Sequence, residues 1–539
     1  MKNRHLQIGA NFLNKSLLDI ASLRREKSAS HNKEEEPLPF KVYQQTDLYQ
    51  LHQMPPLVLG DARWSFEEFR QGCSSMQSAP KPDGLDLETA STLLYYTYGF
   101  SRHDLGSGVI WPFHRFVPSA RCYFPAELYV WLPQTDYLPA GIYHYDNLHH
   151  SLALLRQGDY RDILSQALDA DLDSCLCILL ISALFWKNAF CYLNFSYRLC
   201  TQEAGLVTSN ALIVAGTLGF STHVHYQFLD QSLNRLLGFE PDEESLLSVV
   251  PLYTGSNQRV RRLGRRTIEQ SLSETIAPIS LPYVKTSSFD RELCTLLTEI
   301  DQHSFHEDSA EIITETDVPS PRCLTTEERV APSALLPQEM ELAEALYRRN
   351  SGDVDFTPLC VAITQGAFWE IVRYGLSAYT SNLQYPPSPP RLELYIVIQH
   401  VEGMDKGLYR LCAGCGMLHV IERGDLSMQV QALGTKGNIN YTSANMICYL
   451  VGDYQAVSSL FGNRAYRILH LEAGLIGQRI AVMSACQSLV TRYGNSYHVA
   501  QCKALLKLTE SSLPLAELVI GSEQPGTHAG SRYRFSLLR

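Results

Sequence analysis

Paired arginines beside a short hydroxyl offer the clearest chemistry in this chain. Arg348-Arg349-Asn350-Ser351 and Arg532-Tyr533-Arg534 combine guanidinium forks with hydroxyl donors. Such sets suit a phosphate dianion, although arginines on a solvated surface look the same in sequence. A weaker set is Arg63-Trp64-Ser65 with Arg259 and Arg261, where Glu67 brings a charge of the same sign as phosphate. The loop Pro118-Ser119-Ala120 can present backbone N–H groups. Its opposite number, Tyr385-Pro-Pro-Ser-Pro-Pro390, is mostly proline and lacks that donor. Tyr192 could move a proton, but a tyrosine near its free pKa is a poor base at neutral pH, so it needs a nearby cation; Arg198 is the candidate. Cys412-Ala-Gly-Cys415 is a lone pair without a second pair or a histidine at zinc spacing, so no metal is expected.

The elements that must position these residues come in two copies. Tyr197-Arg198 followed by Glu203-Ala204-Gly205 recurs at one fixed offset as Tyr466-Arg467 and Glu472-Ala473-Gly474. Glu127-Leu-Tyr-Val130 returns as Glu393-Leu-Tyr-Ile396, and Gly141-Ile-Tyr143 as Gly407-Leu-Tyr409, at nearly the same offset. Ordered landmarks at one long spacing mean a duplicated domain rather than a solenoid. The expected division is an N-terminal extension over 1–60, copy one over 61–255, a linker over 256–340 and copy two over 341–539.

Composition bounds the function. The chain has 539 residues, 45% of them hydrophobic and 19% charged, and a net charge of −11. That charge argues against a nucleic-acid binder, whose basic footprint is missing. The 14 cysteines have no framework spacing and are read as reduced, which points to the cytoplasm. No signal peptide is expected, and the longest apolar run, Cys175 to Trp186, is too short to cross a bilayer.

Periodicity places the landmarks. Leu87 to Tyr98 reads as a helix, Glu127 to Leu132 as a strand, and Gly141 to Tyr145 with Leu152 to Leu155 as a hairpin. Long, mostly apolar helices are expected to start at Glu203 and Glu472 and to be buried. The Ser-, Thr-, Pro- and acid-rich stretch Asp301 to Pro337 reads as a linker or mobile loop. An amphipathic pattern near Leu13 and Leu17 suggests that the N-terminal extension packs on a neighbour.

Taken in order, Arg115-Phe-Val-Pro118-Ser119, Pro125-Ala-Glu127-Leu-Tyr129, Gly141-Ile-Tyr-His-Tyr145 and the Tyr197 to Asn210 segment resemble FMN-dependent azoline dehydrogenases of the nitroreductase superfamily. The resemblance covers most of 100–255 and, more faintly, 341–539. It implies an α+β fold in which two tandem nitroreductase-like domains embrace as an intramolecular pseudo-dimer, with FMN in the crevice between them. It implies an oxidase that converts a peptide thiazoline or oxazoline to the azole. The peptide would be presented by a cyclodehydratase complex or a nonribosomal carrier domain, and the chain could pair further as a homodimer.

The resemblance also assigns roles. The flavin phosphate would meet Arg348, Arg349, Ser351, Arg532 and Arg534 of copy two, and Glu472, Ala473 and Gly474 would sit at a helix start near the ring. Arg115, Pro118, Ser119 and Ala120 of copy one would cover its edge. The family's Lys-Tyr pair corresponds to Cys191-Tyr192 here, which leaves Tyr192 as the proton-handling group. One complete site per chain follows, with a degenerate mirror image. A generic NAD(P)H-dependent nitro- or quinone reductase, or a flavin-free scaffold protein, remain the rival readings.

Overall fold

The structure, a computed structural model, describes residues 2–18, 33–52, 55–66, 69, 84–106, 109–255, 260–316, 328–334, 336, 339–435, 437–522 and 531–534, the last four by backbone alone. Glu67 and Arg259 lie outside the described residues.

In chain order the first strands are β1 (Leu48–Gln50), β2 (Phe100–Leu105), β3 (Phe113–Arg115), β4 (Ala126–Leu132), β5 (Gly141–Asp146), β6 (Ser151–Gln157), β7 (Cys177–Leu184), β8 (Ser221–Thr222) and β9 (Glu244–Tyr253). The rest are β10 (Arg329–Val330), β11 (Tyr379–Ser381), β12 (Gln384–Ser388), β13 (Leu392–Ile398), β14 (Gly407–Leu411), β15 (Leu418–Arg423), β16 (Met446–Asp453), β17 (Val490–Gly494), β18 (Ser512–Gly521) and β19 (Ser531–Arg534). The helices that carry the argument are α1 (Gln7–Leu18), α2 (Leu87–Tyr98), α3 (Phe185–Tyr192), α4 (Ser196–Thr217), α5 (Thr295–His303), α6 (Leu342–Arg348), α7 (Tyr454–Phe461) and α8 (Arg464–Cys486).

Two seven-stranded sheets match strand for strand. The first runs β1-β6-β5-β4-β7-β9-β8 and the second β10-β15-β14-β13-β16-β18-β17. Within each, neighbours pair antiparallel. The apolar run from Cys175 forms β7, buried at every position in the middle of its sheet, and then turns into α3. Helix α2 begins where Asp86 accepts the Thr89 N–H at 2.7 Å.

The duplication is thus an α+β pseudo-dimer, and α4 and α8 are its contact. Both helices are buried along almost their whole length. Both start earlier than the apolar pattern implies, because the turns before Glu203 and Glu472 carry Tyr197, Arg198, Tyr466 and Arg467, polar groups buried through specific bonds. Tyr197 and Tyr466 stack across the seam at 5.9 Å. Arg467 pairs with Asp230 at 2.9 Å and with Asp301 at 2.7 Å, while Arg464 takes the other oxygen of Asp230 at 2.7 Å. Asp301, expected in a linker, is therefore a buried residue of α5. The extension packs on this seam as expected: Phe12 of α1 meets Tyr197 and Tyr466 edge-on, and Ser16 bonds the Tyr466 hydroxyl at 3.0 Å.

Gly205 and Gly474 stand about two turns inside their helices, so they offer no free N–H groups. A Cβ on Gly205 would lie 2.1 Å from the Leu471 carbonyl oxygen, and one on Gly474 would lie 2.0 Å from that of Gln202. The glycines let the backbones touch. Either Gly205→Ala or Gly474→Ala should cost about 3 kcal/mol or more, because backbone rather than a movable side chain must shift. Urea denaturation would read this, and an unchanged midpoint would contradict the crossing.

Candidate active site

A cavity of about 920 Å³ opens along the seam, lined from both copies. Copy one supplies the loop after β3 (Pro118, Ser119, Ala120, Arg121), Tyr192 at the end of α3, and Gln202, Glu203 and Leu206 of α4. Copy two supplies Arg349 and Ser351 beyond α6, residues 492–496 of β17 and its continuation, and Glu517 of β18. Strand β19 crosses over to pair with β2, putting Arg532 opposite Asp104 and Arg534 opposite Arg102. Arg102 and Asp104 also line the cavity. The Arg532 and Arg534 side chains lie outside what is described.

The copy-one loop is held in an unfavourable backbone. Arg121, Cys122 and Phe124 all have φ near +50°, each costing on the order of 1 kcal/mol or more for a residue with a Cβ. Ser119 ties it down: its Oγ accepts the Phe124 N–H at 2.9 Å and its hydroxyl bonds Glu203. The turn's own bonds run from Cys122 N–H to the Ser119 carbonyl and from Tyr123 N–H to the Ala120 carbonyl. The Ser119 and Ala120 N–H groups take no part in them. In copy two the corresponding Ser388 ends β12, and its hydroxyl donates to the Pro386 carbonyl at 2.8 Å.

Charge is the other asymmetry. Arg63 is sealed beside Asp61, 2.6 Å away, with Glu370 at 4.0 Å, and lines neither seam cavity. Arg349 is equally buried, yet it only donates to the Arg115 carbonyl at 3.0 Å, and its Nε and second Nη have no hydrogen-bond partner. Burial lowers its pKa to about 9, and the neighbouring Arg102 pushes the same way. A buried cation without a carboxylate is costly unless an anion joins it.

Of the five carboxyl residues that line the cavity (Asp104, Glu203, Asp353, Asp355 and Glu517), Glu203 and Glu517 are buried. Burial raises Glu203 to about 7, opposed by hydrogen bonds from Ser119 and Tyr98 and by the Arg115 charge. Burial likewise raises Glu517 to about 7, opposed by the Tyr441 hydroxyl at 3.0 Å. Beside Tyr192 the cation is Arg121, not Arg198. Burial works against the Arg121 charge, while Cys191, Tyr192 and Tyr123 hold its pKa up. Arg198 points into the core, donating to the Ser16 carbonyl at 3.0 Å and the Tyr497 hydroxyl at 3.3 Å.

The structure thus brings together Pro118, Ser119, Ala120, Tyr192, Arg349 and Ser351. Arg115 lines the cavity too, but its guanidinium lies over the rings of Tyr98, Phe100 and Phe124 and bonds Asn147 and the Pro39 carbonyl. Arg348 is turned out to solvent in an ion pair with Glu344, one helical turn back. Glu472, Ala473 and Gly474 are absent from the lining, and Gly474 lies against the α4 backbone. Glu472 instead accepts from the Tyr379 hydroxyl at 2.7 Å and from the Arg391 N–H at 2.8 Å. The Glu that faces the cavity is its copy-one counterpart, Glu203. The sequence reading also missed Arg492 to Ser496. Arg492 fixes the adjoining loop by donating to the Ser351 carbonyl at 2.7 Å.

A second cavity, about 680 Å³, lies at the equivalent place in the repeat. His223 and His225 stand there where Arg492 and Gly494 stand in the first. Its Arg261 is exposed, and its Arg262 is ion-paired with Asp169 at 2.5 Å.

No protein-family model matches the chain. A solved structure of a provisionally assigned nitroreductase from Anabaena variabilis is similar over 96% of this chain and 99% of its own, with a TM-score of 0.71 and 19% identity. The fold is nitroreductase-like. A provisionally assigned nitroreductase of Methanocaldococcus jannaschii is 22% identical over 124 residues, which is 23% of this chain and 62% of that relative's length. A chain of the E. coli microcin synthetase McbBCD complex, solved with truncated pro-MccB17 bound, matches 47% of this chain at 18% identity and a TM-score of 0.29, too low to bear on chemistry. No described helix of this nitroreductase-like chain is long and apolar enough to cross a membrane.

Glu203 and Glu517 make the empty-handed protein sensitive to base. Their pKa rises from 4.5 to about 7 on folding, so the stability they contribute is whole below about pH 4.5 and is lost as pH climbs through 7. Each should weaken the fold by roughly 3 kcal/mol by pH 8. The protein should therefore melt lower at pH 8 than at pH 5. Glu203→Gln should flatten that profile; an unaltered slope would mean that Glu203 ionises freely.

Proposed function

We propose that this chain is a flavin-dependent oxidoreductase holding one FMN in the composite cavity and oxidising a thiazoline or oxazoline ring within a peptide. The observation that carries the reading is Arg349, a buried guanidinium that is ion-paired to no carboxylate among the described residues and lines a cavity furnished by both copies. Arg349 and Ser351 fit a phosphate, with Arg532 and Arg534 on the adjoining strand. The Ser119 and Ala120 N–H groups fit the polar edge of a flavin ring. The fold supports the same group, since the sequence resemblance places FMN between paired nitroreductase-like units.

When bound, FMN supplies a two-electron acceptor for a hydride equivalent. The chain must then handle the proton. Aromatising an azoline removes one ring hydrogen as that hydride equivalent and a second as a proton. Tyr192, beside Arg121, takes the proton from the ring carbon. Glu203, with a pKa near neutrality, holds the Ser119 loop and is placed to pass a proton onward. The rim suits an unsaturated heterocycle on a chain: Trp111 and Val109 line it, and Ile110 stands 64% exposed. The peptide would arrive on a cyclodehydratase complex or a nonribosomal carrier domain.

Purified protein should be yellow, and a thiazoline peptide should lose two hydrogens in mass spectrometry. Intact peptide mass with flavin bound would defeat the azoline assignment, and bleaching by NADH would favour a reductase instead. Arg349→Ala should release the flavin while Arg63→Ala keeps it; the reverse result would put the phosphate in the other copy. Tyr192→Phe should stay yellow and lose about 10²–10⁴-fold in kcat. Undiminished turnover would remove Tyr192 from the mechanism.

A further inference from the structure

The tip joining β14 to β15 reads Cys412-Ala413-Gly414-Cys415-Gly416. We propose that this tip binds one Zn²⁺ through Cys412, Cys415 and His419. His419 follows Cys415 by four residues, and β15, returning along β14, brings it back to the turn. The two sulfurs and one imidazole nitrogen all lie within 4.8 Å of one another.

Geometry separates this cluster from a chance grouping. Around tetrahedral zinc, bonds of about 2.3 Å to sulfur and about 2.05 Å to nitrogen put S and N about 3.5 Å apart. Cys415 Sγ and His419 Nε2 are 3.6 Å apart. The turn is held in a set shape: Gly416 N–H donates to the Cys412 carbonyl at 2.9 Å, Cys412 N–H donates to the Met417 carbonyl at 3.0 Å, and Gly416 has a φ of +66°. Cys412 and His419 are buried and Cys415 is exposed, so two ligands are fixed in the fold and the third closes the site from outside. The fourth position faces solvent and takes a water. His419 lies opposite Arg410 on one side and Arg329 on the other. Thiolate and imidazole donors select zinc over magnesium or calcium.

The other copy shows what the ion replaces. The matching hairpin, β5–β6, is braced by Asp146, which accepts from Leu148 N–H at 3.0 Å and His149 N–H at 3.1 Å, with His149 Nδ1 at 2.7 Å. The copy-two tip, Ala413-Gly414-Cys415-Gly416-Met417, carries no carboxylate. Zinc would brace the turn there.

The test uses full-length protein, stripped with a chelator and reloaded with Zn²⁺ or Co²⁺. One zinc per chain should survive gel filtration, and the cobalt form should show thiolate-to-metal charge-transfer absorption in a difference spectrum against metal-free protein. Cys412→Ser and His419→Gln should each weaken binding by about tenfold or more while keeping the circular dichroism of the parent. Cys360→Ser, which removes the exposed Cys360–His400 contact elsewhere, should leave the signal intact. No charge-transfer band, a band indifferent to Cys412→Ser and His419→Gln, or a Cys412–Cys415 disulfide in the native protein would each overturn the proposal.

Discussion

Two helices with no room for a side chain between them set the terms for the rest of the molecule. The backbones of α4 and α8 meet at Gly205 and Gly474 so closely that an added Cβ would fall about 2 Å from a carbonyl oxygen of the partner helix. Contact at that range fixes the relative position of the two sheets. Helix pairs spaced by larger side chains can slide by rotamer adjustment; this pair cannot. The buried charges beside it then lock the register. Asp230 holds both Arg464 and Arg467, and Arg467 also holds Asp301, all without solvent. Removing any one partner would strand a buried charge at a cost of about 3–5 kcal/mol. The seam is therefore rigid, and a cavity built across it inherits that rigidity.

A composite site follows from the same constraint. Ser119 belongs to one copy and Arg349 to the other, and they meet only because the helices cross where they do. The strained loop at Arg121 to Phe124 would relax if it stood alone. It is held through Ser119 to Glu203 and Phe124, and so indirectly to α4. Loop geometry, helix crossing and cavity shape are one connected arrangement, with β19 closing it by pairing across to β2.

Much of this was legible in the sequence, for definable reasons. The duplication showed because Tyr-Arg and Glu-Ala-Gly are fixed by contacts at the seam, so both copies keep them at one offset. Helix α2 was readable because its apolar residues recur at helical spacing, and the β5–β6 hairpin because apolar strands flank the Asp146-Asn147 turn. The helix starts were misplaced because an apolar stripe does not register buried Arg198 or Arg467, whose burial depends on partners far along the chain. For the same reason Asp301 read as linker: its acidity suggested solvent, whereas its partner lies in α8. Choosing Glu472 over Glu203 was a question of handedness between copies. Identical motifs cannot say which copy faces a given cavity, and only the fold decides.

The contrast between Arg63 and Arg349 shows what duplication within one chain permits. In a dimer of identical chains each mutation strikes both sites, so a guanidinium needed for one ligand is needed twice. Here the copies drift separately. Arg63 has acquired Asp61 and Glu370 as neighbours, and with its charge matched from within it contributes to structure. Arg349 has no such ion pair among the described residues. The Pro-Ser segment of copy two is a strand end rich in proline, while the copy-one loop has backbone N–H donors at Ser119 and Ala120. On the proposed reading, each half has specialised by losing what the other supplies. The rigid glycine crossing lets two incomplete halves be read as one site.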